Sequence, residues 1–291
     1  MSQEVRIGKV TFQNPILLAS GTFGFGLEFP QVVRRMGGII GKAITLKPRA
    51  GNPPPRIWEV PGGILNSVGL ENPGVSEFVH SVLPRMTFGK AHVVVNVAGS
   101  TVGEYAEIIR RMDSDRIAGF ELNVSCPNVR QGCIAFGQNP QTVARIVRSC
   151  RRTTSKLLIT KLTANFVDPL LTARAAEQEG SDAVTLINAV SALALDAQGL
   201  PALGAGTGGL SGPAIKPLAL YCVRRVAEGV KIPVIGCGGI TCGLDVQEFM
   251  LAGARMVQIG SINLIDPFSG LRILAELRRE ESSPEKERGA S

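Results

Sequence analysis

Residues 117–128 read IAGFELNVSCPN, an apolar run that ends in a cysteine set between a serine and a Pro-Asn pair. Aliphatic runs of this kind are the pattern of a parallel strand buried on both faces. Seven more can be counted: PILLAS (15–20), GIIGKAIT (38–45), HVVVNVAG (92–99), KLLITKL (156–162), AVTLIN (183–188), PVIGCGG (233–239) and MVQIGS (256–261). Stretches of helical periodicity separate most of them, among them VGEYAEIIRRM, PQTVARIVRSC, DPLLTARAAEQEG and LDVQEFMLAGA, and several stop at glycine. Eight strands alternating with helices predict an α/β fold, a (β/α)₈ TIM barrel, in one domain over residues 1–280. A doubly wound open sheet is the alternative. The residues from 281 to 291 are charged and poor in apolar side chains, which predicts a flexible tail.

Composition narrows the class. Of 291 residues, 44% are hydrophobic but only 5% aromatic, with 34 glycines, as aliphatic parallel strands joined by tight turns require. No apolar stretch is long enough to span a bilayer, and the opening MSQEVRIGKV has no signal-peptide pattern, so a soluble cytoplasmic protein is expected. The net charge of +7 invites a nucleic-acid reading. The basic residues are scattered or sit on helix faces, as in VRRM (33–36) and VRRV (223–226), without interleaved aromatics, so no nucleic-acid partner is expected. The six cysteines form no CxxC pair and only His80 and His92 are present, which leaves metal catalysis and Ser-His-Asp chemistry little support. No metal site is expected.

Cys126 lies just past the C-terminal end of its strand, where barrels of this type assemble their chemistry. Asn123 and Asn128 flank it, and each amide can both donate and accept. A thiol with two amides and no neighbouring histidine suits proton abstraction from a polar heterocycle better than acyl transfer. The competing reading is a buried structural cysteine followed by a turn. Glycine-rich loops end the last strands, GCGGI (236–240) and QIGS (258–261), and a third, GGLSGPAIKP (208–217), enters a helix. Backbone N–H groups on such loops can close on a phosphate. Lys161 and Lys42 each interrupt an apolar strand, where a buried ammonium must find a partner or else snorkel out. Residues 46–74 and 189–211 are long Gly/Pro- or Gly/Ala-rich excursions, expected to wall the site.

The ordered set ASGTFGFG (19–26), GKAITLKPR (41–49), LNSVGLENPG (65–74), ELNVSCPNV (121–129), ITKL (159–162), GGLSGPAIKP, GCGGI and QIGS resembles the dihydroorotate dehydrogenase family, in its class 1B catalytic subunit, from about residue 5 to 275. The resemblance implies FMN in the barrel and oxidation of dihydroorotate to orotate in pyrimidine biosynthesis. By position it implies Cys126 as the base and Lys42, Asn66, Asn123, Asn128 and Asn188 as pyrimidine-binding residues. It puts Ala19, Ser20, Gly21, Asn96 and Lys161 at the flavin ring and ribityl chain, and Gly212, Gly238, Gly239, Gly260 and Ser261 at the phosphate. It further implies a homodimer within a heterotetramer, whose second subunit carries FAD and a [2Fe–2S] cluster and reduces NAD⁺. Two positions depart from the family pattern: Ala189 where Ser or Thr is usual, and Ala164 where Pro is usual. Three other readings stay open: a dihydropyrimidine dehydrogenase-like enzyme acting on uracil or thymine, a tRNA dihydrouridine synthase, and a non-catalytic phosphate-binding barrel.

Overall fold

A computed structural model describes residues 4–125 and 136–281, so Cys126, Asn128 and the end of the expected tail lie outside the described residues. The chain opens with a hairpin, β1 (Val5–Ile7) and β2 (Val10–Phe12), joined by a Gly8–Lys9 turn and paired antiparallel. The two-residue turn between the alternating triplets VRI and VTF is the sequence signal for this element, which the count of eight runs passes over.

Eight parallel strands then close a barrel: β3 (Ile16–Leu18), β4 (Gly38–Ile44), β7 (His92–Val97), β8 (Gly119–Asn123), β9 (Leu157–Lys161), β10 (Ala183–Leu186), β13 (Val234–Cys237) and β14 (Met256–Ile259). Each of the eight aliphatic runs contains one of them, and β14 pairs back onto β3 to seal the ring. The open-sheet alternative is thereby excluded. Helices return the chain between strands, and side chains at their first turns satisfy backbone N–H groups that the helix itself leaves unpaired. Thr101 accepts from Glu104 N–H, Asn139 from Thr142 N–H at 2.9 Å and Asp168 from Leu170 N–H at 3.1 Å.

The barrel floor is apolar. Val5, Ile7 and Phe12 of the hairpin pack with Leu17, Ile40, Val94, Ile159, Ala183, Ile235 and Met256. A second, larger cluster fills the space between strands and helices. The two long excursions do not stand apart as separate loops. β5 (Ile57–Val60) and β6 (Gly63–Asn66) of the first pair antiparallel with β11 (Val190–Ala192) and β12 (Gly208–Ser211) of the second, in the order β11-β12-β6-β5. Strands of three or four residues among so many glycines and prolines give no alternation long enough to read in the sequence.

The end of β8 is pinned from outside. Tyr105, fully buried on the helix Val102–Arg111, donates its hydroxyl to the Asn123 carbonyl at 2.9 Å. Tyr105→Phe removes that bond while keeping the ring. The variant is expected to lose about 1 kcal/mol of stability by urea titration, the usual net worth of one such bond.

Candidate active site

Side chains two residues apart on a strand share a face. Stepping two residues up from the apolar floor turns Leu17 into Ala19, Ile40 into Lys42, Val94 into Asn96, Ile159 into Lys161, Ala183 into Thr185, Ile235 into Cys237 and Met256 into Gln258. The same phase on β8 carries Glu121 and then Asn123. On most strands the barrel interior therefore changes from aliphatic to polar within one residue pair, Ala19 on β3 being an exception. A cavity of about 690 Å³ opens above this layer, within the range of small-ligand sites.

Among the sequence-predicted residues, Ala19, Ser20, Gly21, Lys42, Asn66, Asn123, Lys161 and Asn188 all line this one cavity. So do Gly212, Gly238, Gly239, Gly260 and Ser261. Residues almost two hundred and fifty positions apart in the chain converge because the barrel closes β14 on β3. Asn96 is different. It is fully buried and does not line the cavity; its amide donates to Glu121 at 2.8 Å and accepts from Asn123 Nδ2 at 3.1 Å.

Several polar groups on the wall are held by neighbours. Asn188 donates to Ser125 Oγ at 2.9 Å and accepts from Ala189 N–H at 2.8 Å. Asn66 donates to the Gly209 carbonyl at 3.2 Å, which ties the two excursions together. Lys161 is only 5% exposed and donates to Gln258 Oε1 at 3.2 Å, so it is not a lysine snorkelling from a strand end. Lys42 faces Glu71 at 3.7 Å, and Glu71 also engages Arg56. Ala189 lines the cavity as well, and its carbonyl accepts from Asn165 Nδ2 at 3.0 Å.

The glycine loops are locked to one another. Gly239 has φ +74°, and a Cβ there would come within 2.7 Å of Lys216 Cβ and 2.9 Å of the Gly212 carbonyl. Only glycine fits this left-handed position without moving the helix that starts at Lys216. Lys216 Nζ donates to Asp245 at 2.6 Å and to Glu248 at 2.8 Å. The other Asp245 oxygen takes the Thr241 N–H at 2.6 Å, the Thr241 hydroxyl at 2.8 Å and the Cys242 N–H at 3.1 Å. One carboxylate thus joins the loop after β12 to the loop after β13. Sequence reading passes over both Lys216 and Asp245, since a charge near a helix start reads as solvated surface.

Burial alone would push the Asp245 carboxyl up, but the Lys216 ammonium and the Thr241 donors outweigh it and hold it down at about 2. A carboxyl depressed on folding stabilises the protein above its unfolded value, about 3.9, and loses that contribution as pH falls through its folded value. Acid unfolding followed between about pH 4 and pH 2 is therefore expected to be shallower in Asp245→Asn than in the parent chain.

Three of the four described cysteines are held in the thiol form by burial. Burial pushes the Cys150 thiol up to about 12 and the Cys222 thiol to about 11. Burial also raises Cys237, against the pull of the Lys161 charge. Among the described residues, no group of three or more His, Cys, Asp or Glu is placed to hold a metal ion, and no helix is long and apolar enough to cross a membrane.

The family model for dihydroorotate dehydrogenase matches residues 2–280. A protein of Thermoanaerobacter pseudethanolicus named dihydroorotate dehydrogenase B (NAD(+)), catalytic subunit, is 43% identical over 282 residues, covering 96% of this chain and 93% of its own. A Geobacter sulfurreducens protein of the same name is 47% identical over 279 residues, covering 94% and 92%. The solved structure of DHODH from Eimeria tenella in complex with ferulenol superposes with a TM-score of 0.80 over 96% of this chain and 84% of that one, at 23% identity, a likeness of fold. With the barrel, the ordered motifs and matches over nearly its whole length, this chain belongs to the dihydroorotate dehydrogenase family of oxidoreductases.

Proposed function

We propose that the chain is the catalytic subunit of an NAD-linked dihydroorotate dehydrogenase that oxidises dihydroorotate to orotate in cytoplasmic pyrimidine synthesis, with FMN as its cofactor. One observation carries the reading: a single cavity is lined by three glycine-rich loops, a buried ammonium (Lys161), three amides (Asn66, Asn123, Asn188) and a second lysine (Lys42). That donor set suits a phosphorylated, ring-bearing cofactor beside a planar amide ring with a carboxylate. The names carried by the relatives at 43–47% identity support the same choice of substrate.

The residues fit FMN. Gly212, Gly238 and Gly239 present backbone rather than side chain at one part of the cavity, and Gly260–Ser261 adds another such loop and a hydroxyl. Backbone donors of this kind suit a phosphate. FMN, when bound, supplies the two-electron acceptor chemistry. Lys161 supplies positive charge where a reduced ring would carry negative charge, in surroundings that exclude water and so strengthen the effect.

The remaining work falls to the substrate side. Oxidising a ring C–C bond beside a carbonyl requires one hydrogen to leave as hydride and its neighbour as a proton. Cys126, the position that the family resemblance marks as the base, takes the proton at its Sγ. Asn66, Asn123, Asn128 and Asn188 pair with the ring amides and fix the distance between reacting atoms, on which the rate depends steeply. Lys42 meets the carboxylate by exchanging its partner Glu71 for the substrate. Electrons leave through a partner subunit carrying FAD and a [2Fe–2S] cluster, on a homodimer of this chain.

Anaerobic titration of the purified protein tests this. Dihydroorotate is expected to bleach a flavin spectrum and dihydrouracil, which lacks the carboxylate, is not. A colourless protein that takes up no FMN, or faster bleaching by dihydrouracil, would refute the proposal.

A further inference from the structure

Glu121 has no accessible surface, stands on the inner face of β8 and is used by none of the steps above. A carboxylate is costly to bury, so its neighbours need an explanation. Its Oε1 accepts from Asn96 Nδ2 at 2.8 Å. Its Oε2 accepts from Gln258 Nε2 at 2.5 Å and from Thr185 Oγ1 at 3.0 Å. All of these neighbours are themselves fully buried.

A carboxylate only accepts, whereas an amide has one donating and one accepting end. Glu121 therefore decides which way two amides face. With its nitrogen committed to Glu121, Asn96 offers only Oδ1, and this takes Asn123 Nδ2 at 3.1 Å. Asn123 is left with its own Oδ1 turned away from that contact, where the Ser125 N–H reaches it at 3.4 Å. The second arm works in the same way. Gln258 Nε2 is committed to Glu121 and to Thr185 at 3.2 Å, which leaves Oε1 for Lys161 Nζ at 3.2 Å.

We propose that Glu121 is a positioning residue whose two oxygens set the orientation of Asn96 and Gln258, and through them aim Asn123 at the substrate and Lys161 at the flavin. The register of the barrel makes this possible: Glu121 lies beside Asn96 on β7, and Lys161 lies between Asn123 on β8 and Thr185 on β10. One buried negative charge thus governs both halves of the cavity and offsets the Lys161 charge. The inference rests on the flavin and substrate reading given above.

Two variants of the holoenzyme separate the arms. Glu121→Gln keeps the shape but adds a donor where only acceptors fit. It is expected to weaken orotate binding about tenfold, the scale of one misdirected buried hydrogen bond, and to raise the midpoint potential of the bound flavin, because a buried negative charge is gone. Gln258→Leu cuts only the Lys161 arm. It is expected to lower the midpoint potential, since the ammonium loses its Gln258 acceptor, while orotate affinity stays within about twofold. Opposite signs of the two potential shifts would not come from loss of stability alone. A shared sign, or potential and orotate affinity unchanged in both variants with only the melting temperature lowered, overturns the role of Glu121 and leaves the proposed function standing. A parent protein that binds neither FMN nor orotate overturns both.

Discussion

Replacing Cys126 with alanine will leave a folded, yellow protein whose flavin is reduced by dihydroorotate about 10²-fold or more slowly, the usual cost of removing a general base. Anaerobic stopped-flow absorbance measures this in a single turnover, free of the partner subunit. A proton next to a carbonyl needs an acceptor, and an unperturbed thiol titrates near 8.5, within reach of neutral solution. Burial holds three of the four described cysteines out of that range, and Cys126 comes three residues after a strand whose last inward residues, Glu121 and Asn123, belong to the polar layer. The parent reduction rate should therefore rise with pH as the thiol ionises, and the alanine variant should lose that rise. Serine in its place keeps the geometry but holds its proton far more tightly, so it restores little at neutral pH. Reduction of the alanine variant at near-parent rates removes the cysteine from the mechanism.

Lys161→Met comes second. The substitution keeps most of the aliphatic stem, so the barrel should remain filled, but it removes a buried positive charge. Hydrogen bonds to charged groups contribute about 1.5–3 kcal/mol, which corresponds to FMN affinity about ten- to a hundredfold weaker. Titrating the apoprotein with FMN and following quenching of flavin fluorescence reads this directly. The loss should also appear as slower reduction, because the charge that favours the electron-rich ring is gone. A variant that remains stably yellow and is reduced with unchanged kinetics rules out the flavin contact.

The barrel could be read from eight aliphatic runs because strands buried on both faces leave an uninterrupted record in the chain. The excursion sheet could not: β5, β6, β11 and β12 are short, and their pairing depends on partners far away in sequence. The polar layer lay between these cases. Lys161 was visible as a charge inside KLLITKL, yet Glu121 in IAGFELNV and Gln258 in MVQIGS break their runs in the same way. Stepping two residues along each strand from the floor would have collected all three, along with Asn96 and Thr185. Lys216 and Asp245 had no such signal, because their importance comes from a meeting between two loops that only the closed ring brings about.

The sheet over the barrel mouth also bears on the order of assembly. Asn66 holds a carbonyl 143 residues downstream, and β6 finds its inner neighbour only in β12. A chain still emerging from the ribosome can make the early strands long before this rim exists, since distant pairings form last and cost the most chain entropy. The rim therefore doubles as a completion check: a prematurely terminated product would carry Asn66 and Lys42 yet lack the scaffold that turns them into a pocket.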